Sequence, residues 1–215
     1  MGQSDSRPEA DPVPKNRHGG YDKMTTEASN LIIRRAQDGD FKGIFALQSS
    51  NYSGNIGSED RQDGFLSIVF SEDKLREMVA DGITVVARDG DEIAGFLSTQ
   101  TCRYNLDIPL PRTMIESLEN SASSDADFDR GSTLVCGPVC IGKQYRGQGI
   151  LERMYQELAV QAQGKFTTGI TFVALENPRS LIAHEKKLGM RPVVRFDFNG
   201  KPFQILCVEL AQYLP

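Results

Sequence analysis

The hexapeptide QYRGQG, Gln144–Gly149, joins an apolar stretch, STLVCGPVCIG (132–142), to an amphipathic one, ILERMYQELAVQA (150–162). The first reads as a strand broken by Gly137-Pro138. The second reads as a helix with Leu151, Met154, Tyr155, Leu158 and Ala162 on one stripe. Glycines at such a junction let successive backbone N–H groups turn toward one anion, and the helix that follows adds the positive end of its dipole. Lys143 and Arg146 put positive charge beside them. Two familiar phosphate loops do not fit. A Walker A loop spaced from Gly142 and Gly147 requires Lys-Ser/Thr where Gln148-Gly149 stands. A dinucleotide fingerprint begun at Gly147 and Gly149 meets Glu152 at its third glycine. A pyrophosphate cradle and a plain glycine turn remain.

Working outward, LIIRRA (31–36) predicts a first strand, and Asp38 can cap a helix over DGDFKGIFALQSS. SEDKLREMVAD (71–81) opens with a serine cap and two acids, a helix start. ITVVARDGDEIAGFLSTQTCRY (83–104) predicts a hairpin turning at Asp89-Gly90-Asp91. Residues 105–130 form a long excursion with a short helix in LPRTMIESLEN and a polar acidic loop. TGITFVALE (168–176) predicts a strand. Asn177 caps the helix after it, Pro178 fits its first turn, and Gly189 its C-terminal cap. VVRFDF and KPFQILCVEL close as a hairpin through Asn199-Gly200. The predicted fold is α/β (α+β), a mixed central sheet of about seven strands with helices on both faces. It forms one domain over residues 30–215, preceded by a disordered, Pro-, Gly- and charge-rich lead over residues 1–29.

The 215 residues carry a net charge of −5, and the pI is about 5.2. That balance disfavours non-specific nucleic-acid binding. No apolar run reaches the roughly 18 residues of a membrane helix, so no membrane partner is predicted. Four cysteines without a CxxC, and two histidines, give no zinc set, and no metal is expected. Cys136 and Cys140 on one strand would share a face about 13 Å apart, too far for a disulfide. Four reduced thiols suit a cytoplasmic protein.

With its loop and flanking elements read, the chain resembles the GNAT superfamily of acyl-CoA-dependent N-acetyltransferases. Gln144-Tyr145-Arg146-Gly147-Gln148-Gly149 fits that family's central motif of Gln or Arg, two residues, Gly, one residue, and Gly or Ala. ALENPRSLIAHEKKLGM (174–190) is similar to its next motif, and the order of elements fits from about residue 31 to 210. The resemblance implies splayed fourth and fifth strands. It implies that the backbone of Val139, Cys140 and Ile141 pairs with the pantetheine arm of acetyl-CoA. It assigns the pyrophosphate to N–H groups of Gln144, Tyr145, Arg146, Gly147, Gln148, Gly149, Ile150 and Leu151, and gives Asn177 a bond to pantetheine or to a catalytic water.

The implied reaction is direct transfer of an acetyl group from acetyl-CoA, the co-substrate, to a primary amine. A small-molecule acceptor is favoured, because the long excursion would cover the cleft. A homodimer is allowed. The alternative is a non-catalytic acyl-CoA sensor or degenerate domain.

The family often has a tyrosine that protonates the departing thiolate. Counting seven residues from Asn177 reaches His184; counting four back from Gly189 reaches Glu185. The segment holds one extra residue, which a π-bulge would absorb. Leu181, Ile182 and Leu188 define the expected buried face, with Glu185 nearer its centre than His184. His184 is nonetheless the favoured site residue, as an imidazolium proton donor. STLVCGPVCI lacks the glutamate that many members carry on this strand, so Glu176 is the first candidate base. Glu59, Asp60 and Asp63 are other acids near the expected mouth. Cys140 has no histidine positioned by sequence to activate it. The acceptor cleft is expected between residues 51–64 and 104–130, where Asp125, Asp127 and Asp129 either attract a cationic amine or form a solvated loop.

Overall fold

The computed structural model describes residues 31–55, 65–66, 69–121 and 128–215. The N-terminal lead, Glu59, Asp60, Asp63, Asp125 and Asp127 lie outside the described residues. The elements are β1 (Leu31–Arg35), α1 (Phe41–Ser50), α2 (Glu72–Asp81), β2 (Ile83–Asp89), β3 (Glu92–Thr101), α3 (Cys102–Asn105) and α4 (Pro109–Glu119). They continue with β4 (Thr133–Ile141), α5 (Ile150–Ala162), β5 (Thr168–Ala174), α6 (Pro178–Ile182), β6 (Arg191–Phe198) and β7 (Lys201–Glu209).

One seven-stranded sheet runs β1-β2-β3-β4-β5-β7-β6. Among the described strands its only parallel pair is β4 with β5, which the α5 crossover makes feasible. Strand alternation sends side chains to two faces. Val85, Ala87 and Leu97 pack beneath Met154, Tyr155 and Leu158 of α5. Val86 and Phe96 pack beneath Phe41 and Ile44 of α1 and Leu75 of α2. A third cluster joins Met114, Ile115 and Leu118 of α4 to Phe196, Phe203 and Ile205. The expected layering is therefore present.

Several elements begin or end differently from the sequence pattern. Residues 102–104, expected to extend β3, turn into α3, because the Thr101 hydroxyl accepts the Tyr104 amide at 3.2 Å and caps a helical turn there. Asp38 does not cap α1. A 3-10 turn over Asp38–Asp40 precedes the helix, and Asp40 stands at its N-cap. Asp40 is 1% exposed. It accepts the Gln37 amide at 2.7 Å, and pairs with Arg34 at 2.7 Å and Arg88 at 3.2 Å. This carboxylate ties β1 to the β2–β3 hairpin. Asp40→Ala should destabilise the chain by roughly 3 kcal/mol, since it strands charged partners at a buried point. Urea unfolding measures that loss, and a change under 1 kcal/mol would show that the cluster is incidental.

The sheet opens at β4. Leu97 pairs with Val139 and Thr99 with Cys136, so one residue of β3 spans two of β4 at Gly137-Pro138. That bulge inverts the alternation. Cys136 and Cys140 were expected on one face; instead Cys136 joins the core under α5 and Cys140 the core under α1 and α2. Beyond the bulge β5 no longer follows β4. The two pair only at Thr133 to Val135, opposite Thr168 to Ile170, and β5 then runs its length against β7. The C-terminal half of β4 thus presents a strand edge to a gap.

Candidate active site

The gap holds a cleft lined by Val139 to Ile141 of β4, by Gly147 and Gly149, and by Ile150 and Leu151 at the start of α5. Gly147 and Gly149 have φ of 80° and 72°, the left-handed region that favours glycine, and a Cβ added at either would meet no atom within 4 Å. The glycines therefore fold the loop without filling the space in front of it. The helical ladder begins with Arg153 N–H donating to Gly149 at 3.2 Å, so the amides before it lie at the open end of a helix. The positive end of the helix and its first amides border the cleft, whereas the Tyr145 and Arg146 amides are bonded to the Gly142 and Lys143 carbonyls at 2.9 and 3.4 Å.

The loop's side chains hold it rather than reach into it. The Tyr145 hydroxyl lies 3.1 Å from Asp89 and 3.0 Å from Glu92 of the β2–β3 hairpin. Gln144 donates to Glu92 at 2.9 Å, and Gln148 to the Gln144 carbonyl at 3.0 Å. Arg146, expected beside the anion, donates to the Ile141 carbonyl at 3.0 Å and to Asn51 at 2.9 Å. It lines the cleft while tying the end of α1 to the end of β4. Arg179 and Lys187 line the opposite wall, and neither was singled out from sequence.

The second motif builds the floor. Asn177 accepts the Ser180 amide at 3.2 Å, and Pro178 occupies the first position of α6. The helix then widens into a π turn over Ala183–Lys187, with Leu188 N–H donating to Ala183 at 3.2 Å. This absorbs the extra residue. It also shifts the faces: Ile182, expected inside, is 59% exposed, whereas His184 is 3% exposed. Glu185 lies on the partly exposed side and lines neither cavity of the site. Glu176 lines neither; its carboxylate pairs with Lys201 at 3.0 Å on the exposed surface.

His184 Nδ1 lies 2.7 Å from the Ser180 carbonyl oxygen, which can only accept, so Nδ1 carries the proton. That leaves Nε2 as a bare acceptor, and it is buried without a partner. Burial also lowers the His184 pKa from its ordinary 6.5, against a smaller opposing push from the Ser180 carbonyl. The ring is neutral at rest. The expected resting imidazolium is thus replaced by a neutral imidazole with its lone pair free. Burial pushes the Cys140 thiol up to about 12, which removes it as a nucleophile at neutral pH.

His184 stands where two cavities meet. The second lies across the splay, under α2 and α3, and shares Phe65, Leu66, Val139, Asn177, Ser180 and His184 with the first. Gln100, Tyr104, Asn105, Phe172 and Phe203 belong to the second alone. Asp129 lines neither, and its carboxylate instead accepts the Gly131 and Ser132 amides at 3.1 and 3.0 Å. Among the described residues no group of three or more His, Cys, Asp or Glu could hold a metal, and no helix is long and apolar enough to cross a membrane.

The profile of the Acetyltransferase (GNAT) family matches residues 44–190, more than half of the chain. The chain belongs to the GNAT family. Solved structures of the same fold include smu.2055 from Streptococcus mutans, 18% identical with a TM-score of 0.57, over 83% of this chain and 99% of that one. The putative acetyltransferase yncA from Salmonella typhimurium, solved with its cofactor acetyl-CoA, is 14% identical at a TM-score of 0.52, over 84% and 94% of the two chains. Arabidopsis thaliana NAA60 in complex with acetyl-CoA is 15% identical at 0.55, over 84% and 99%. No curated protein matches significantly. Within this GNAT chain the family match spans the bulged β4, the glycine loop and the Asn177–His184 floor, and stops at Met190.

Proposed function

We propose that this GNAT chain is an acyl-CoA-dependent N-acyltransferase that moves an acetyl group from acetyl-CoA to a primary amine by direct transfer. The observation that carries the reading is the unpartnered Nε2 of buried His184 at the junction of two cavities. One cavity has what an acyl-CoA requires: a free strand edge at Val139 to Ile141 for the pantetheine amides, and amides at a helix N-terminus for the pyrophosphate. The other would admit the amine from the opposite side of the sheet.

Acetyl-CoA supplies the activated acyl carbon and a thiolate leaving group. The chain's residues align the two reactants and handle the proton. When the amine attacks the thioester carbonyl, its nitrogen gains positive charge and becomes acidic. His184 Nε2 is placed to accept that proton, and the imidazolium then returns it to the departing thiolate. A lowered pKa makes the imidazolium a stronger acid, which suits the return step. Ser180 holds Nδ1, and Asn177 holds Ser180, so the floor fixes the tautomer that the proton transfer requires. An N–H of the bulged β4 edge is available to the developing oxyanion. Glu176 and Glu185 have no part in this scheme.

A non-catalytic binder remains the alternative, and the open second cavity beside His184 favours catalysis over it. The test is thiol release from acetyl-CoA in the presence of primary amines. Release that depends on both substrates is expected; stabilisation by acetyl-CoA without release from any amine class favours the binder.

A further inference from the structure

The second cavity carries information about the acceptor. Its cavity volume is about 200 Å³, and it is open to solvent. Phe65, Phe70, Met78, Ile108, Phe172 and Phe203 give it apolar and aromatic walls. No Asp, Glu, Lys or Arg lines it among the described residues. The nearby cation, Lys74, sits over the Tyr104 ring at 4.8 Å and pairs with Glu77 at 2.7 Å.

Among the described residues, the polar groups on the wall away from the first cavity are all neutral. Gln100 is 3% exposed and hydrogen-bonds Ser98 at 2.9 Å through one end of its amide. Asn105, also buried, donates to the Thr101 carbonyl at 2.9 Å, which leaves its carbonyl oxygen without a partner among the described residues. The Tyr104 hydroxyl is buried and has no hydrogen-bond partner within normal geometry among the described residues, although the Lys74 ammonium lies close enough to interact with it. An apolar chamber with a neutral donor and acceptor wall suits an aromatic-sized body ending in a hydroxyl or amide. It does not suit a second ammonium or a carboxylate, which would be desolvated there without a counter-charge.

We propose that the acceptor is a small primary amine whose body is uncharged, apolar and aromatic in size, and not a polyamine or a free amino acid. This rests on the acyltransferase reading above. The acetylated nitrogen would sit at the shared wall by His184, and the body would fill the chamber toward Gln100 and Tyr104.

Initial rates of thiol release, measured on the full chain at fixed acetyl-CoA, test this with tyramine, 2-phenylethylamine, spermidine, phenylalanine and trialanine. The aromatic amines should exceed spermidine and phenylalanine in kcat/KM by roughly a hundredfold or more, the scale of burying an unpaired charge. Ile108→Glu, at a partly exposed lining position, should narrow that gap for spermidine. Spermidine or phenylalanine equalling the aromatic amines overturns the proposal, as does trialanine leading, which would indicate a polypeptide terminus. Melting curves with acetyl-CoA in the same samples separate the two readings. Stabilisation by acetyl-CoA with the wrong amine preferred overturns the acceptor class alone. Should no amine release thiol, the CoA-loaded chain is melted with each amine. Added stabilisation by tyramine but not spermidine supports the chamber's assignment, and any other pattern overturns it.

Discussion

Gly147→Glu is expected to abolish acetyl-CoA binding while leaving the chain folded. The position has φ of 80°, so any side chain adds backbone strain there. That strain is about 1–2 kcal/mol, a fall in Tm of roughly 2–8 °C for a chain of this size. A Cβ added there meets no protein atom within 4 Å. Gly147 lines the cleft proposed for the pyrophosphate, and a carboxylate there would repel that anion. Affinity should fall at least about a hundredfold, roughly 2.7 kcal/mol. Gly147→Ala carries the same strain without the charge, so it should lose the stability but far less of the affinity. Calorimetric titration of both variants separates backbone from electrostatics. Wild-type affinity in the glutamate variant would mean that the anion binds elsewhere.

His184→Gln is expected to lower kcat by roughly 10²–10⁴, the range for losing a positioned general acid–base group. The KM for acetyl-CoA should change little, because the proposed nucleotide contacts lie along β4 and the glycine loop. In the wild type the neutral ring is the active form, so the rate falls as pH drops through the lowered His184 pKa, below the ordinary 6.5. The same group links stability to pH. The unfolded chain binds this proton more readily than the folded one, so stability is full above pH 6.5 and declines as pH falls toward the lowered value. The glutamine variant should lose the acidic limb in rate and flatten the stability slope in that window. An unchanged kcat would remove His184 from the chemistry.

The parts of the site that the sequence made legible are those set by local backbone chemistry. Gly147 and Gly149 adopt the left-handed conformations that their residue type suggested, and Asn177-Pro178 starts a helix as a cap followed by proline does. The miscount between Asn177 and Gly189 pointed to a widened turn, and a π turn at Ala183–Lys187 is present, with His184 its buried residue. What stayed hidden depends on long-range geometry. The bulge opposite Ser98 adds one residue to β4 and sends Cys136 and Cys140 to opposite faces, which strand counting alone cannot foresee. Arg146 read as positive charge near the loop, and it does line the cleft, but its bond to Asn51, remote in sequence, was not foreseeable. Gln100, Phe172 and Phe203 line the second cavity, but in sequence they are ordinary strand residues, indistinguishable from core. Glu176 sits at a strand end as read, and only the neighbouring β7 shows that it pairs outward with Lys201.

The most direct measurement is titration of acetyl-CoA into the purified chain, with a melting curve at saturation. A dissociation constant at or below about 100 μM, within the usual range for enzyme substrates, and a Tm that rises with ligand concentration are expected. No heat and no shift at millimolar acetyl-CoA would contradict the assignment of QYRGQG as the cradle of its pyrophosphate.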